Sequence, residues 1–437
     1  MPTPRKGADG ARRVAIIDGL RTPFARAYTV YQNLTATDLA RACVRELLER
    51  TELDPKEVDE VIFGCVLPPV GAPNIAREVV LGLDLPRHIP GFTLTRACAS
   101  SAQALITAAE GILCGEYEVV IVGGTESLSN VPVPYSKNLI DALQQFNRAK
   151  SLRARLAALS RLRPEDLVPH PPDIAETATG KTMGQHAEMM AKIYGISREE
   201  QDRLALESHR RAAEAAERNR DELCTVWAPP QFTPVEADNT VRRDTSMEKL
   251  AQLAPVFDRR YGTITAGNSS GLTDGAAALL VMSEQKARQL GYEPLCYVRS
   301  WASTAIDPTS SEPGEQLLLG PAHAIPEALD KAGLKLAEVD LVDLHEAFAA
   351  QVLCVLRALE SADFAREKLG RDEPVGRVDP EKLNVCGGSI ALGHPFGATG
   401  ARQASTMAHE LVRRQARTAV ISQCAAGGMG TAIVLER

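Results

Sequence analysis

The most restrictive feature of this chain is a strand–helix order that occurs twice, about 280–300 residues apart. The segment 57–61 resembles 338–342, and the apolar strand pattern at 119–122 has a counterpart at 419–422. A period this long is unlike that of solenoids or propellers, which repeat every 20–50 residues or so. Strand and helix patterns alternate within each copy, which is typical of a doubly wound α/β architecture. The sequence therefore predicts two similar α/β halves packed face to face.

A long stretch of extra sequence lies before the end of the first copy and interrupts it. The strand pattern at 276–282, which closes the first copy, comes only after a long insertion. We therefore predict four regions: a flexible N-terminal arm (1–13), a first half (14–129 and 259–284), an inserted loop domain (130–258) and a second half (285–437).

Composition excludes several classes of protein. The formal net charge is −7 and aromatic residues make up 4% of the chain, which disfavours a nucleic-acid partner. No uninterrupted apolar run approaches the roughly 20 residues of a membrane span. The nine cysteines are odd in number and include no C-x-x-C pair, which is typical of a reducing compartment. We expect a cytoplasmic enzyme.

One segment departs from this acidic average. Residues 136–163 contain seven basic residues and a single acid, with leucines at helical spacing. The pattern predicts amphipathic helices. Their basic face is either a solvated surface over an ordinary core, or a surface that docks on anionic lipid or on a partner subunit.

A cysteine occupies a position suited to nucleophilic chemistry. Cys98 stands among small residues where a strand pattern turns into a helix pattern. The amide groups and partial positive charge of a helix N-terminus favour a thiolate, so we expect a lowered thiol pKa there. Taken alone, the residue is equally compatible with a buried structural cysteine.

Three further residues lie at glycine-rich turns or at strand ends. His394 lies within the glycine-rich segment 387–400, Cys424 precedes a run of small residues and glycines, and His345 follows the strand pattern 339–342. Ligands in α/β folds gather at the carboxyl ends of strands. A loop histidine can serve as a base, donate to an oxyanion or make a structural hydrogen bond. We expect no metal on His345, His394 and Cys424, because no two of them have a local ligand spacing.

Together these segments resemble the thiolase superfamily over essentially the whole chain from Arg13. The motifs that carry the resemblance, in chain order, are 21–24, the Cys98 segment 95–104, 123–127, 266–271, 274–277, 393–395 and 424–430. The family fold is a duplicated, five-layered αβαβα core with an inserted loop domain over the coenzyme A site. The resemblance implies a homo-oligomer, either a dimer or a tetramer, with coenzyme A as substrate and no tightly bound cofactor.

The resemblance also implies roles for individual residues. Cys98 would be the nucleophile that carries the acyl thioester, His394 would activate it, and Cys424 would be the acid and base. Backbone N–H groups of Cys98 and Ala426 would form one oxyanion hole. The coenzyme A and substrate contacts implied in this way are Ser270, Met183 and Phe348.

His345 narrows the resemblance to a subgroup. Most thiolases have asparagine there, holding a water in an oxyanion hole, whereas histidine resembles the β subunit of the fatty-acid-oxidation (trifunctional) complex. Arg77 and the basic segment 136–163 resemble that subgroup too. It implies 3-ketoacyl-CoA thiolysis in β-oxidation, a hydratase–dehydrogenase α subunit as partner, and peripheral membrane contact.

Three other functions remain open at this point. The same residues would serve a biosynthetic acetyl-CoA acetyltransferase that makes acetoacetyl-CoA. Ketoacyl synthases share the duplicated fold, but they rely on two histidines, and Cys424 with its glycines favours a thiolase. A non-catalytic acyl-CoA-binding subunit is the remote alternative, which retention of both cysteines and His394 disfavours.

Overall fold

The computed structural model describes residues 12–169, 175–310, 312 and 314–437. The predicted N-terminal arm therefore lies outside the described residues, except for Arg12 and Arg13. Arg12 donates a hydrogen bond of 2.7 Å to the carbonyl of Ile112, so the described chain begins in contact with the folded core.

Twelve strands are present in the described residues. In chain order they are β1 (Val14–Arg21), β2 (Ala25–Arg26), β3 (Glu60–Gly64), β4 (Gly91–Leu94), β5 (Val119–Glu126), β6 (Val226–Ala228), β7 (Thr233–Val235), β8 (Thr273–Ser283), β9 (Cys296–Ala305), β10 (Leu341–Leu344), β11 (Thr418–Ala425) and β12 (Met429–Glu436).

The same part of the chain forms fourteen α-helices. They are α1 (Ala36–Thr51), α2 (Ile75–Gly82), α3 (Ser100–Cys114), α4 (Lys137–Arg148), α5 (Leu152–Leu159), α6 (Met183–Ile193), α7 (Arg198–Ala215), α8 (Met247–Ala251), α9 (Glu284–Leu290), α10 (Gly320–Ala332), α11 (Ala349–Glu360), α12 (Ala362–Leu369), α13 (Ser389–Leu392) and α14 (Thr399–Arg413).

The strand order confirms the predicted duplication. The main sheet runs β10-β11-β12-β9-β1-β8-β5-β3-β4, with β2 paired to β8, while β6 and β7 pair separately. In the first half β3–β5 is parallel, and β5–β8 and β8–β1 are antiparallel. In the second half β10–β11 is parallel, and β11–β12 and β12–β9 are antiparallel. The halves join where β1 pairs with β9, with Val14 opposite Val298.

Alternate side chains on each strand enter different apolar clusters, because successive residues of a strand point to opposite faces. One cluster lies between the first half-sheet and α1, where it includes Leu39 and Val61. A central cluster contains Leu105 of α3 and Met407 of α14, packed against strands of both halves. A third lies under α10 and α11 and includes Ile325. The five predicted layers are therefore present. The central helices lie between the two half-sheets, and each half-sheet is covered on its other face by a further layer of helices.

The central helix α3 is unusually apolar. Among the described residues, 97–114 form the one helical stretch whose length and composition would suit a membrane crossing, and 56% of it is buried in the fold. It packs in the central cluster beside α14, so its hydropathy is accounted for by its place in the core.

The insertion contains α4 to α8 and the β6–β7 pair. In its basic segment, Ser136 caps α4 and Ser151 caps α5 by accepting backbone N–H groups, as N-cap serines do. We call α4 and α5 the basic hairpin. Its leucines are only partly covered: Leu152 is 72% exposed and Leu156 is 60% exposed.

Candidate active site

Cys98 lies in the turn between β4 and α3, as predicted. The turn is tight, since Ala97 has a φ of +45°, a left-handed conformation that non-glycine residues rarely adopt. Ser100 holds it by donating from Oγ to the Ala97 carbonyl at 2.6 Å and accepting the N–H of Arg96 at 2.8 Å. Cys98 is partly exposed as a whole residue, whereas its thiol is surrounded by protein.

The expected lowering of the Cys98 pKa is wrong. Burial raises the pKa of this thiol to about 12, outweighing the stabilising N–H groups of Cys98 and Ala426. Desolvation penalises the thiolate more than two amide dipoles favour it. Cys98 therefore rests as a neutral thiol and needs a base before it can attack.

His394, from the second half of the chain, is a candidate for that base, because one of its ring nitrogens lies within 4.8 Å of Cys98 Sγ. Its Nδ1 lies 2.7 Å from Thr399 Oγ1, and its backbone N–H donates to the carbonyl of Gly271 at 3.1 Å. Burial, followed by the nearby charge of Arg402, lowers the pKa of His394 to about 3. The imidazole is therefore neutral at physiological pH and able to accept a proton.

His345 lies beside it at the end of β10. Its backbone N–H donates to the Ser422 carbonyl at 2.8 Å, and its Nδ1 is 2.9 Å from Ser389 Oγ. The ring centroids of His345 and His394 are 4.1 Å apart. Burial, followed by the neighbouring His394 and Arg402, lowers the pKa of His345 well below its usual value. Cys98 Sγ and one ring nitrogen from each histidine lie within 4.8 Å of one another.

Cys424 completes the group near the end of β11. It is buried, and burial, together with the adjacent Cys98, raises its thiol pKa well above the usual range. The turn that follows carries Ala426, whose N–H faces Cys98, and two glycines at positive φ, Gly427 and Gly428. Cys424 is thus a protonated thiol next to Cys98.

Two buried carboxylates hold these loops. Glu126 accepts the backbone N–H groups of Val66, Leu67 and Gly397 at 2.9–3.0 Å. It thereby ties the loop after β3 to the loop that carries His394. Glu346 accepts from Ser208 Oγ at 2.7 Å, Asn384 Nδ2 at 2.6 Å and the Ile390 N–H at 3.1 Å.

These supports were missed by sequence reasoning, although a weak signal existed. Glu126 is an acid at the end of an apolar strand, and Glu346 follows another apolar strand. A third support had no signal at all: Glu176, from the insertion, accepts the N–H of Gly427 at 2.7 Å. Nothing in the local sequence pairs positions so far apart.

A cavity of about 420 Å³ adjoins the His394 loop. Ser270, one of the three expected coenzyme A and substrate contacts, lines it together with Arg26, Arg242 and Leu272. Leu272 also bridges to His394, so the cavity lies one loop away from the reacting groups. The two arginines, which sequence reasoning did not single out, suit the phosphates of a nucleotide-like ligand.

The other two predicted substrate contacts lie apart from this lining. Phe348 is buried against Phe257, with ring centroids 5.9 Å apart in an edge-on arrangement. Met183 begins α6 and packs partly buried on the cluster beneath α11. Ser270 is linked to the first of these regions because its N–H donates to the Ala347 carbonyl at 3.0 Å.

Comparison with known families accounts for the whole architecture. The model of the thiolase N-terminal domain matches residues 14–285, and that of the thiolase C-terminal domain matches residues 292–437. The chain belongs to the thiolase family. This confirms the resemblance drawn from the motifs.

Individual thiolases are similar over nearly the full length. A 3-ketoacyl-CoA thiolase of Serratia proteamaculans is 49% identical over 426 residues, with 97% of each chain covered. One from Yersinia enterocolitica is 48% identical with the same coverage.

Solved structures agree with this. Human mitochondrial 3-ketoacyl-CoA thiolase in complex with CoA has a TM-score of 0.82 at 32% identity, covering 98% of each chain. Bacillus anthracis acetyl-CoA acetyltransferase has the same TM-score and identity, covering 98% of this chain and 100% of the other.

Proposed function

We propose that this thiolase is a 3-ketoacyl-CoA thiolase (acetyl-CoA C-acyltransferase) of fatty-acid β-oxidation. It would transfer the acyl group of a 3-ketoacyl-CoA to CoA through an acyl-cysteine. The observation that carries the proposal is the meeting of Cys98 Sγ with ring nitrogens of His345 and His394 within 4.8 Å, beside the buried thiol of Cys424. The names of the relatives at 48–49% identity support the choice of substrate.

The hydrogen bonds of His394 favour its action as a base. Thr399 Oγ1 donates to the Pro395 carbonyl at 3.3 Å, so it accepts from the Nδ1–H of His394. This tautomer leaves the lone pair on Nε2. The high thiol pKa of Cys98 and the low pKa of His394 disfavour a resting thiolate–imidazolium pair. The proton therefore moves from Sγ to Nε2 only as Sγ attacks the 3-keto carbon.

Carbon–carbon cleavage then needs an acid. When the bond between the second and third carbons breaks, its electron pair forms the enolate of acetyl-CoA, and the acyl group stays on Cys98. The Cys424 thiol, kept protonated by burial, donates its proton to the second carbon. Its thiolate then takes the thiol proton of incoming CoA, whose sulfur attacks the acyl-cysteine. The Cys98 thiolate leaves and recovers its proton from His394.

Two sets of donors stabilise the oxyanions. The N–H groups of Cys98 and Ala426 lie at the sulfur and suit the thioester oxygen. The protonated Nε2 of His394 and a water held by His345 suit the enolate oxygen. One such donor is typically worth about 10²–10³ in rate.

Thiolysis of 3-ketoacyl-CoA substrates of several chain lengths tests the proposal directly. We expect acetyl-CoA and an acyl-CoA two carbons shorter, with ping-pong kinetics because CoA acts on an acyl-enzyme. Absence of thiolysis at every chain length, with and without a candidate α subunit, would contradict it. Formation of acetoacetyl-CoA from two acetyl-CoA as the preferred reaction would instead favour the biosynthetic alternative, which the likeness to the Bacillus anthracis acetyltransferase keeps open.

We also propose that the basic hairpin docks on an anionic membrane surface, with a hydratase–dehydrogenase α subunit as the alternative occupant. Leu152 and Leu156 are more than half exposed next to arginines, and such a face gains from burial at a charged interface. Deleting 136–163 should reduce sedimentation with phosphatidylserine vesicles but not with phosphatidylcholine vesicles. If only α-subunit binding falls, the partner is a protein. If neither falls, the hairpin is a solvated face.

The remaining part of the proposal concerns assembly and location. We propose a cytoplasmic homo-oligomer, either a dimer or a tetramer. Support comes from β4, which ends the main sheet with one edge unpaired in the described chain, and strand edges of this kind readily pair with another copy. Sedimentation equilibrium tests the oligomeric state, and a monomer at micromolar concentration would contradict the proposed oligomer. Cell fractionation tests the cytoplasmic location.

A further inference from the structure

The active-site side chains also meet the requirements of a metal site. Cys98 Sγ and one ring nitrogen from each of His345 and His394 lie within 4.8 Å of one another. In tetrahedral zinc sites, bond lengths of about 2.0–2.3 Å place neighbouring ligand atoms about 3.3–3.6 Å apart. A shift of about 1 Å or less in side-chain position would therefore bring the three atoms to coordination distance.

A second observation points to the same ligand. The Nε2 atoms of His345 and His394 are buried and have no hydrogen-bond partner in the described part of the protein, while the two side chains are 1% and 4% exposed. Each Nδ1, by contrast, is held by a hydroxyl group, Ser389 for one ring and Thr399 for the other. Zinc-bound histidines are typically held this way, with one ring nitrogen on a fixed partner and the other on the metal.

Both histidines present a ring nitrogen that a metal can take. Each ring keeps its Nδ1 on a hydroxyl group and leaves its Nε2 without a partner in the described residues, and the neutral imidazole is the form that coordinates a metal. Zinc binding would displace the Cys98 thiol proton to solvent and leave the thiolate as the third ligand. A fourth position would remain open for water, as in three-ligand zinc sites.

We propose that Cys98, His345 and His394 form a reversible site for a thiophilic divalent cation, Zn²⁺ in particular. The metal is an inhibitor, not a resident cofactor: it occupies the sulfur lone pair and the Nε2 that would accept the thiol proton. The inhibitory consequence rests on the proposed thiolase function, whereas the binding itself does not. The three ligands are distant in sequence and become a site only through the meeting of the two halves.

Cobalt(II) provides a test that is independent of turnover. When Co²⁺ is titrated into chelator-treated, full-length protein, a thiolate-to-metal charge-transfer band should grow until one equivalent of Co²⁺ has been added. Zn²⁺ added afterwards should remove the band. Cys98→Ala should abolish the band. His345→Asn keeps an amide near Ser389 but removes Nε2, and it should weaken cobalt binding at least tenfold. Cys114→Ala, at an exposed free cysteine, is the matched control and should leave the band unchanged.

The opposite results overturn the proposal. Absence of the band in the wild type, its persistence in Cys98→Ala or its loss in Cys114→Ala would each contradict the site. So would a cobalt affinity of His345→Asn equal to that of the wild type. Circular dichroism of each variant establishes that it is folded. Separately, Zn²⁺ should inhibit thiolysis by wild-type protein, and excess chelator should restore it. If the metal-free protein shows no thiolysis, the proposed function fails while the cobalt result still decides the metal site.

Discussion

The loop before α3 and the loop before α14 occupy equivalent places in the two halves, yet one carries a thiol and the other an imidazole. Each loop leads into the central helix of its half, and the two helices are in direct contact. Ala401 N–H donates to Ser101 Oγ at 2.9 Å, and a Cβ added at Gly400 would lie 2.5 Å from the backbone nitrogen of Ala102. Duplication thus brings two copies of one loop to the same point.

The difference between the halves lies in what else each supplies. The first half contributes Cys98, the proposed nucleophile, whereas the second half contributes three residues from separate places. His345 and His394 lie in two loops, and Cys424 lies near the end of β11. Glu126 in the first half and Glu346 in the second are both buried acceptors for loop N–H groups. Each half therefore has a buried carboxylate that supports its loops, although Glu126 ends β5 and Glu346 follows β10, which are not equivalent strands of the repeat. The chemistry also differs between the halves.

The largest effect is expected from Cys98→Ala, which removes the one reacting group of the first half. Thiolysis should fall by about 10⁴-fold or more, because no other group can hold the acyl chain. Mass spectrometry after incubation with acyl-CoA should show no acyl-enzyme. Acyl label trapped on this variant would contradict the assignment of the nucleophile.

His394→Ala removes the equivalent group of the second half and should cost about 10³-fold, within the range of general-base catalysis. The pH profile should change as well. With a His394 pKa near 3, wild-type acylation shows no histidine titration between about pH 6 and 9. Without the base, the rate depends on the thiolate fraction of Cys98, whose pKa is about 12. It should then rise about tenfold per pH unit. A profile as flat as that of the wild type would argue against the base role.

Cys424→Ser separates the two stages of the reaction. The hydroxyl is a much weaker acid than a thiol, so carbon–carbon cleavage should fall by about 10²–10³-fold. Acylation of Cys98 from a simple acyl-CoA should persist in part, since Cys98 and His394 are intact. Comparing thiolysis with acyl-enzyme formation measures this; full thiolysis by the variant would remove Cys424 from the acid role.

The smallest effect is expected on the contact between the halves. Gly400→Ala forces α14 away from α3 and should destabilise the fold by about 1–3 kcal/mol through overpacking. Gly71→Ala is the control, because nothing lies within 4 Å of the added Cβ. Denaturant unfolding of both variants gives the comparison. Equal stability would show that the helices tolerate separation.

Much of this arrangement was predictable because it rests on local patterns. The duplication was visible in segments 119–122 and 419–422, which lie in the equivalent strands β5 and β11 of the two halves. The position of Cys98 between a strand and a helix followed from the same periodicity. His394 and Cys424 were singled out because glycine clusters mark loops where backbone approaches a ligand, and both lie near Cys98 in the fold.

Other features depended on long-range contacts. The Cys98 pKa was expected to fall at a helix N-terminus, but burial raises it, and burial is a property of the surrounding layers. The support of the Gly427 turn by Glu176 joins residues 251 positions apart. Arg26 and Arg242 meet at one cavity from different parts of the chain.

By itself the sequence determined the two α/β halves with their insertion and the side chains that are candidates for the chemistry, because hydrophobic periodicity and glycine turns are encoded locally. Only the tertiary structure decided which of those side chains meet. No two of His345, His394 and Cys424 have a local ligand spacing in the sequence, whereas the fold brings Cys98 Sγ and a ring nitrogen of each histidine within 4.8 Å of one another. The physical reason is that distances, desolvation and protonation states arise from the contact between the halves, which no single segment contains.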